Sequence, residues 1–221
     1  MPIITTVTEE QLFTNEYKKK IHINGLNRLV SENTKTKGID LPSLFIFERK
    51  QLFVASKLLN LFKQINQNDK LLLLKFYETG LERMPSERTN LIELLELAGE
   101  TFGHVILSSE SAKSLAKLNE LIDKYNWNCS ILPQMKSMFK PELNSVYFKA
   151  DLGNSTGAIN QMENGKIAIV EQPSSREDFT KFDNTCSYVS EMNLGRNLYI
   201  CTKTPEDIYN YLLLKKYKNI A

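Results

Sequence analysis

Histidine, cysteine and tryptophan are scarce in this 221-residue chain, at two, three and one. Each shortage closes a route. Neither His22 nor His104 has another histidine, a cysteine or an acid at a ligand spacing, so the sequence assigns no metal site. Cys129, Cys186 and Cys201 cannot all pair within one chain and form no CxxC, which excludes a disulfide framework and fits a reducing compartment. Long apolar runs are also missing. Stretches such as Leu71–Leu74 fall far below the ~18 residues of a membrane span. The opening MPIITTVTEEQLF has no basic segment followed by an apolar one. The expectation is a cytoplasmic protein with no membrane partner. There is no GxxxxGK[ST], no GxGxxG after a strand, no GxSxG and no HExxH, so nothing points to a cofactor. Charge of one sign is absent too. The 28 basic and 26 acidic residues are spread along the chain and leave a net +2, which builds no field for nucleic acid or anionic lipid.

What is present is ample core material, 42% hydrophobic, enough for one compact domain. Residues 9–33 place Leu12, Phe13, Tyr17, Ile21, Leu26, Leu29 and Val30 mostly three or four apart, which predicts an amphipathic helix. A polar loop follows over Ser31–Gly38 and closes at Asp40-Leu41-Pro42. Residues 43–66 read as a helix, or as a short strand at Leu44–Phe47 feeding one. In 70–77, KLLLLKFY, leucine's helix propensity and the spacing of Leu71, Leu74, Leu81 and Met84 favour helix. A further helix spans Asn90 to about Glu100. Residues 1–102 thus read as a mainly helical region.

From Gly103 the pattern changes to strand (His104–Leu107), helix capped by Ser108 or Ser109, and strand (Trp127–Leu132), a βαβ unit with parallel strands. Val146–Ala150 and Ile167–Glu171 read as strands around a turn-rich insert, Gln172–Asp183 as irregular, and Asn197–Thr202 as a strand. Thr204-Pro205-Glu206-Asp207 then starts a helix, with Pro at the first helical position and acids in the first turn. The expected fold class is α/β: a helical N-terminal half packed on a mixed, partly parallel sheet formed mainly by residues 103–221.

Parallel α/β sheets bind ligands beyond the carboxyl ends of their strands, where helix N-termini offer free N–H groups. Applied here, the rule points to Ser108, Ser109 and Glu110, to 151–157, to Glu171, and to Thr202, Lys203 and Thr204; of these Ser109, Asp151, Asn154, Ser155, Thr156 and Lys203 are the candidates for a site that takes a small anionic or phosphorylated ligand, nucleotide-like or acid. Whether the protein is an enzyme stays open, and a non-catalytic subunit docking onto a protein or nucleic-acid complex is the alternative. Lys18-Lys19-Lys20 near Tyr17, and the tail lysines near Tyr209, Tyr211 and Tyr217, suit nucleic acid only weakly. Asp40 with Glu48-Arg49-Lys50 has the residue types of a D…ExK nuclease core.

Two local resemblances bear on the same stretch. DLGNSTG, residues 151–157, resembles the first phosphate-binding hairpin of actin-like ATPases, which implies backbone amides and a hydroxyl on phosphate and a metal-positioning acid at Asp151. The chain after Gly165 is too short for the rest of that two-domain fold. The order strand, helix, strand, then Glu163-Asn164-Gly165-Lys166 before Ile167, resembles the lactate-utilisation domain of the NagB-like fold. That family's Arg- and Pro-bearing segment has no clear match in Ser174-Ser175-Arg176.

Overall fold

The computed structural model describes residues 1–7, 36–41, 67–76, 87–137 and 140–217. Eight strands form one sheet: β1 (Ile3–Thr6), β2 (Gly38–Leu41), β3 (Gln67–Phe76), β4 (Phe102–Ser109), β5 (Cys129–Leu132), β6 (Tyr147–Lys149), β7 (Ile167–Glu171) and β8 (Leu198–Thr202). Their order is β5-β4-β3-β2-β1-β8-β7-β6, and every pair is parallel. The two ends of that order meet. Lys149 N–H donates to Pro133 C=O (2.9 Å), Met135 N–H donates to Lys149 C=O (3.2 Å), and Gln134 and Lys149 form a parallel bridge. The sheet is a nearly closed, TIM-barrel-like cylinder.

Both parts of the expected fold class are therefore corrected. The sheet is all parallel rather than mixed, and residues 1–102 supply three of its strands rather than a helical half. The physical reason is that parallel strands buried on two faces read as continuous apolar runs, without the alternation of a one-sided strand. In β3, Leu71 and Leu73 join the barrel interior with Ile4, Ile106, Leu132, Ile169 and Tyr199, while Leu72 and Leu74 pack outward. Burial on both sides outweighs leucine's helix propensity. The predicted segments 9–33 and 43–66 lie outside the described residues, as do Leu81, Met84, Glu48, Arg49, Lys50, His22 and Lys18-Lys19-Lys20.

Five α-helices cover the described part of the outer face: α1 (Glu87–Thr101), α2 (Ala112–Tyr125), α3 (Ser155–Glu163), α4 (Arg176–Glu191) and α5 (Pro205–Leu214). Helix α1 buries Leu94, Leu95 and Ala98. The cap of α2 is Ser111, which accepts from Ser114 N–H, because β4 runs on to Ser109 in register with β3. The supposed turn insert after Ala150 is helical. Asp151 Oδ1 accepts from Gly153 N–H (2.9 Å) and Asn154 Oδ1 from Gly157 N–H (3.1 Å), so the small polar residues cap α3. That makes 147–171 a β–α–β crossover between parallel strands, not a hairpin. The segment thought irregular holds the start of α4. Ser175 Oγ accepts from Asp178 N–H and donates to Asp178 Oδ2, which makes Ser175 the N-cap of the helix. Asp183 of α4 then ties down the chain end, accepting from the Tyr211 and Tyr217 hydroxyls and pairing with Lys215 (3.0 Å).

No helix among the described residues is long and apolar enough to cross a membrane. Inside the barrel the close approach of β2 to β3 requires glycine, since a Cβ on Gly38 would lie 2.4 Å from Leu71 C=O. Gly99 in α1 has open space around its Cβ position. Gly38→Ala is expected to lose about 1–3 kcal/mol by overpacking. Gly99→Ala should gain up to about 1 kcal/mol from helix propensity. Equilibrium denaturation of the two variants checks the pair.

Candidate functional site at the carboxyl mouth of the barrel

Side chains alternate in and out along a strand, so the inward set can be followed to the carboxyl end of each one. Beyond Gly38 on β2 comes Asp40. Beyond Leu71 and Leu73 on β3 comes Lys75, beyond Tyr147 on β6 comes Lys149, and beyond Ile167 and Ile169 on β7 comes Glu171. These four meet. Lys75 Nζ lies 3.1 Å from Asp40 Oδ2 and 3.4 Å from Glu171 Oε1, and Lys149 Nζ lies 2.9 Å from that same Oε1. Strands β3 and β7 stand four places apart in the order, on opposite walls, so the Lys75–Glu171 contact spans the barrel axis.

Asp40 is the buried member, with its side chain 1% exposed. Its Oδ2 accepts from Thr6 Oγ1 (3.1 Å) as well as from Lys75, whereas Oδ1 has no partner. Burial raises the Asp40 pKa, and the Lys75 charge and hydrogen bond act against that rise. Burial alone would lower the Lys75 pKa, but Asp40 and Glu171 outweigh it and raise it, so Lys75 is an ammonium at neutral pH. At Glu171, burial is overcome by bonds and charge from Lys149 and Lys75, and its pKa is lowered. Beneath the quartet, burial holds the Cys201 thiol well above its ordinary value, and burial pushes Cys129 and Cys186 up to about 12. No thiolate is available from these three near neutrality.

The residues nominated from sequence lie around the same rim. Ser109 ends β4 on its outward face, is buried, and accepts from Ser111 N–H (3.2 Å). Asp151 and Asn154 cap the turns leading into α3, Ser155 and Thr156 form its first turn, and Lys203 follows β8 in the open. Asp151 also lines an open depression of about 380 Å³ with Gln134, Met135, Lys136 and Ala150, beside the seam that closes the barrel. Among the described residues no hydrogen bond or ion pair joins Ser109, the 151–156 turn and Lys203 to one another. Of the residues that are brought together, Thr6, Asp40, Lys75, Lys149 and Glu171, the strand-end rule points to Glu171 and the D…ExK pattern to Asp40, while Thr6, Lys75 and Lys149 carry no nomination from sequence. Their signal is a polar residue in period-two phase with an inward apolar run. Among the described residues no group of three or more His, Cys, Asp or Glu could hold a metal.

Removing Lys75 strands a buried charge. Lys75→Met is expected to cost about 3 kcal/mol, and the double change with Asp40→Leu should recover most of it, because an apolar pair needs no compensation. Denaturant unfolding of the single and double variants tests this. Among the described residues acid acts through two carboxylates with lowered pKa, Glu171 and Asp183, whose ordinary values are 4.5 and 3.8. At Asp183 burial raises the pKa, and bonds from Tyr211, Tyr217 and Lys215 more than reverse it. A lowered folded pKa stabilises fully above the unfolded value and is lost as pH falls through the folded one. Asp40, with a raised pKa, has the opposite sign: its contribution is present below its ordinary value and lost as pH rises through the folded one. Glu171→Gln with Asp183→Asn should therefore lose less stability than the wild type between about pH 6 and pH 3, as read by melting temperature.

No protein-family model matches the chain, and no curated protein matches it in sequence. Solved structures do resemble it in shape. A glycerophosphodiester phosphodiesterase from Parabacteroides distasonis superposes with a TM-score of 0.58 at 10% identity, over 97% of this chain and 98% of that one. A Coccidioides immitis protein assigned to the dihydrodipicolinate synthase family superposes with a TM-score of 0.56 at 12% identity, over 98% of this chain and 73% of the other. At such identities the likeness establishes the barrel fold the chain shares with them.

Proposed function

We propose that the protein binds a small anionic ligand, phosphorylated or carboxylic, in the carboxyl mouth of its barrel, and acts on it as an enzyme. The observation that carries this reading is the convergence of two lysine side chains, Lys75 from the opposite wall and Lys149 from the neighbouring strand, on one shared carboxylate oxygen. In barrels of this type ligands are taken at the carboxyl face, where loops and helix N-termini converge. Here α2, α3, α4 and α5 each follow a strand, so their N-termini lie on that face. In the proposal Asn154, Ser155, Thr156 and Lys203 offer rim contacts, with Ser109 and Asp151 shaping the turns behind them. The names of the two similar barrels are those of a phosphodiesterase and of a synthase family, and both names fit a small-molecule enzyme. Lys75 enters as a fixed positive charge. Its raised pKa keeps it from acting as a free amine near neutrality.

A docking role draws on a separate observation. Tyr188 and Met192 at the end of α4, and Tyr209, Leu213 and Leu214 on α5, are exposed among the described residues.

Thermal shifts against nucleotides, sugar phosphates and acyl-CoA separate the two. A ligand at ~100 times its Kd adds about 2.7 kcal/mol, which raises the melting temperature by several degrees. A shift that Lys75→Met abolishes supports the mouth as the site. No shift with any member, together with a partner recovered by pull-down, overturns the ligand reading in favour of docking.

A further inference from the structure

Glu171 and its two lysines form an arrangement that a structural ion pair does not need. Both ammonium groups converge on one oxygen, Oε1, at 2.9 and 3.4 Å. Among the described residues Oε2 has no hydrogen bond. The carboxylate sits on the last residue of β7, with its side chain 53% exposed. Lys75 is held in another way as well, anchored from below by Asp40, itself fixed by Thr6, and the stem of Lys149 starts from a backbone that closes the barrel with Pro133 and Met135. Taking Glu171 away would leave the Lys75 ammonium in place and that of Lys149 without the partner it has among the described residues, at a point open to solvent.

Resting on the reading of the mouth as an anion site, we propose that Glu171 is a built-in occupant of that site, and that a phosphate-bearing ligand binds by displacing it from Lys75 and Lys149. The exchange selects for phosphate. A monocarboxylate replaces Glu171 like for like, one charge for one charge. A phosphate monoester brings close to two charges and several acceptor oxygens, so each ammonium gains an oxygen of its own in place of a shared one. Once displaced, Glu171 is a mobile carboxylate on the rim and stands against ligands that carry a further negative charge on that side. It is thus a specificity-determining residue.

Isothermal titration with inorganic phosphate and with acetate tests the assignment on the wild type, Glu171→Gln and Glu171→Ala, with circular dichroism confirming that each variant is folded. Both variants should bind phosphate about tenfold tighter than the wild type, the worth of one charge-assisted bond no longer surrendered, and acetate, freed of the same competitor, should gain by a similar factor from a weaker start. Adding Lys149→Met to Glu171→Gln should remove the gain. Equal or weaker phosphate binding by both variants overturns the inference. If the wild type still responds to the ligand panel in a Lys75-dependent way, the reading of the mouth survives that result. Failure of phosphate to bind any of the proteins, with no response to the panel, overturns both.

Discussion

Everything at the mouth depends on the closure of the sheet between Pro133–Met135 and Lys149. An open parallel sheet would leave β5 and β6 as edges with unpaired backbone groups and would put its inward residues on a solvated face. Closure turns that face into an interior, and the cost of placing a polar group there depends on depth. Ile4, Leu73, Leu132 and Ile169 fill the middle of the cylinder and exclude water from below. Polar residues therefore collect at the ends. Lys149 connects the two levels of organisation, since its backbone seals the seam and its side chain reaches into the site.

Within the mouth, burial and charge act against each other, and their balance sorts the groups by role. Asp40 carries the largest desolvation cost because it is enclosed, and Lys75 and Thr6 compensate only one of its oxygens. A buried pair of this kind is poor evidence for stability, since an apolar replacement of both members does as well. What the pair achieves is position. A lysine with a four-carbon stem is ordinarily free to wander, and here it is held over the barrel axis as a permanent cation. Glu171 lies at the wetter end of the same network, where its carboxylate is stabilised by two cations yet open to replacement.

Much of this architecture was readable as local chemistry and unreadable as topology. The strand at Ile167–Glu171 and the Pro205 helix start stand where their residues predict them, because each carries a signal complete within a few positions. Segments whose state is decided by burial on two faces misled. Leu71–Leu74 has the composition of a helix and becomes a strand only because other strands flank it. Strands β1 and β2, four residues each, are too short for periodicity to register. The polar residues of DLGNSTG and of SSRED have the look of loop, yet their role is to cap helices, and both α3 and the start of α4 went unseen for that reason. The site followed the same rule. Asp40, Lys75 and Lys149 cannot be recognised as neighbours until their strands are known to share one interior.

The two ends of the barrel treat their polar side chains differently. At the amino end, His104 Nδ1–H donates to Asn128 Oδ1 (2.9 Å), its Nε2 accepts from the Ser130 hydroxyl (3.0 Å), and the ring stacks on Tyr147. Asn128 in turn donates to Gly103 C=O (2.6 Å), and Tyr147 meets Tyr199 edge to face. Both ring nitrogens have hydrogen-bond partners. The carboxyl end has a comparable number of polar side chains with a different outcome: an enclosed carboxylate oxygen without a partner, two cations sharing one acceptor, and an exposed acid. A network selected only for stability would be completed in the same way at both ends. Polar groups left incomplete at the carboxyl face, beside a completed network at the other, are what the proposed ligand site would require.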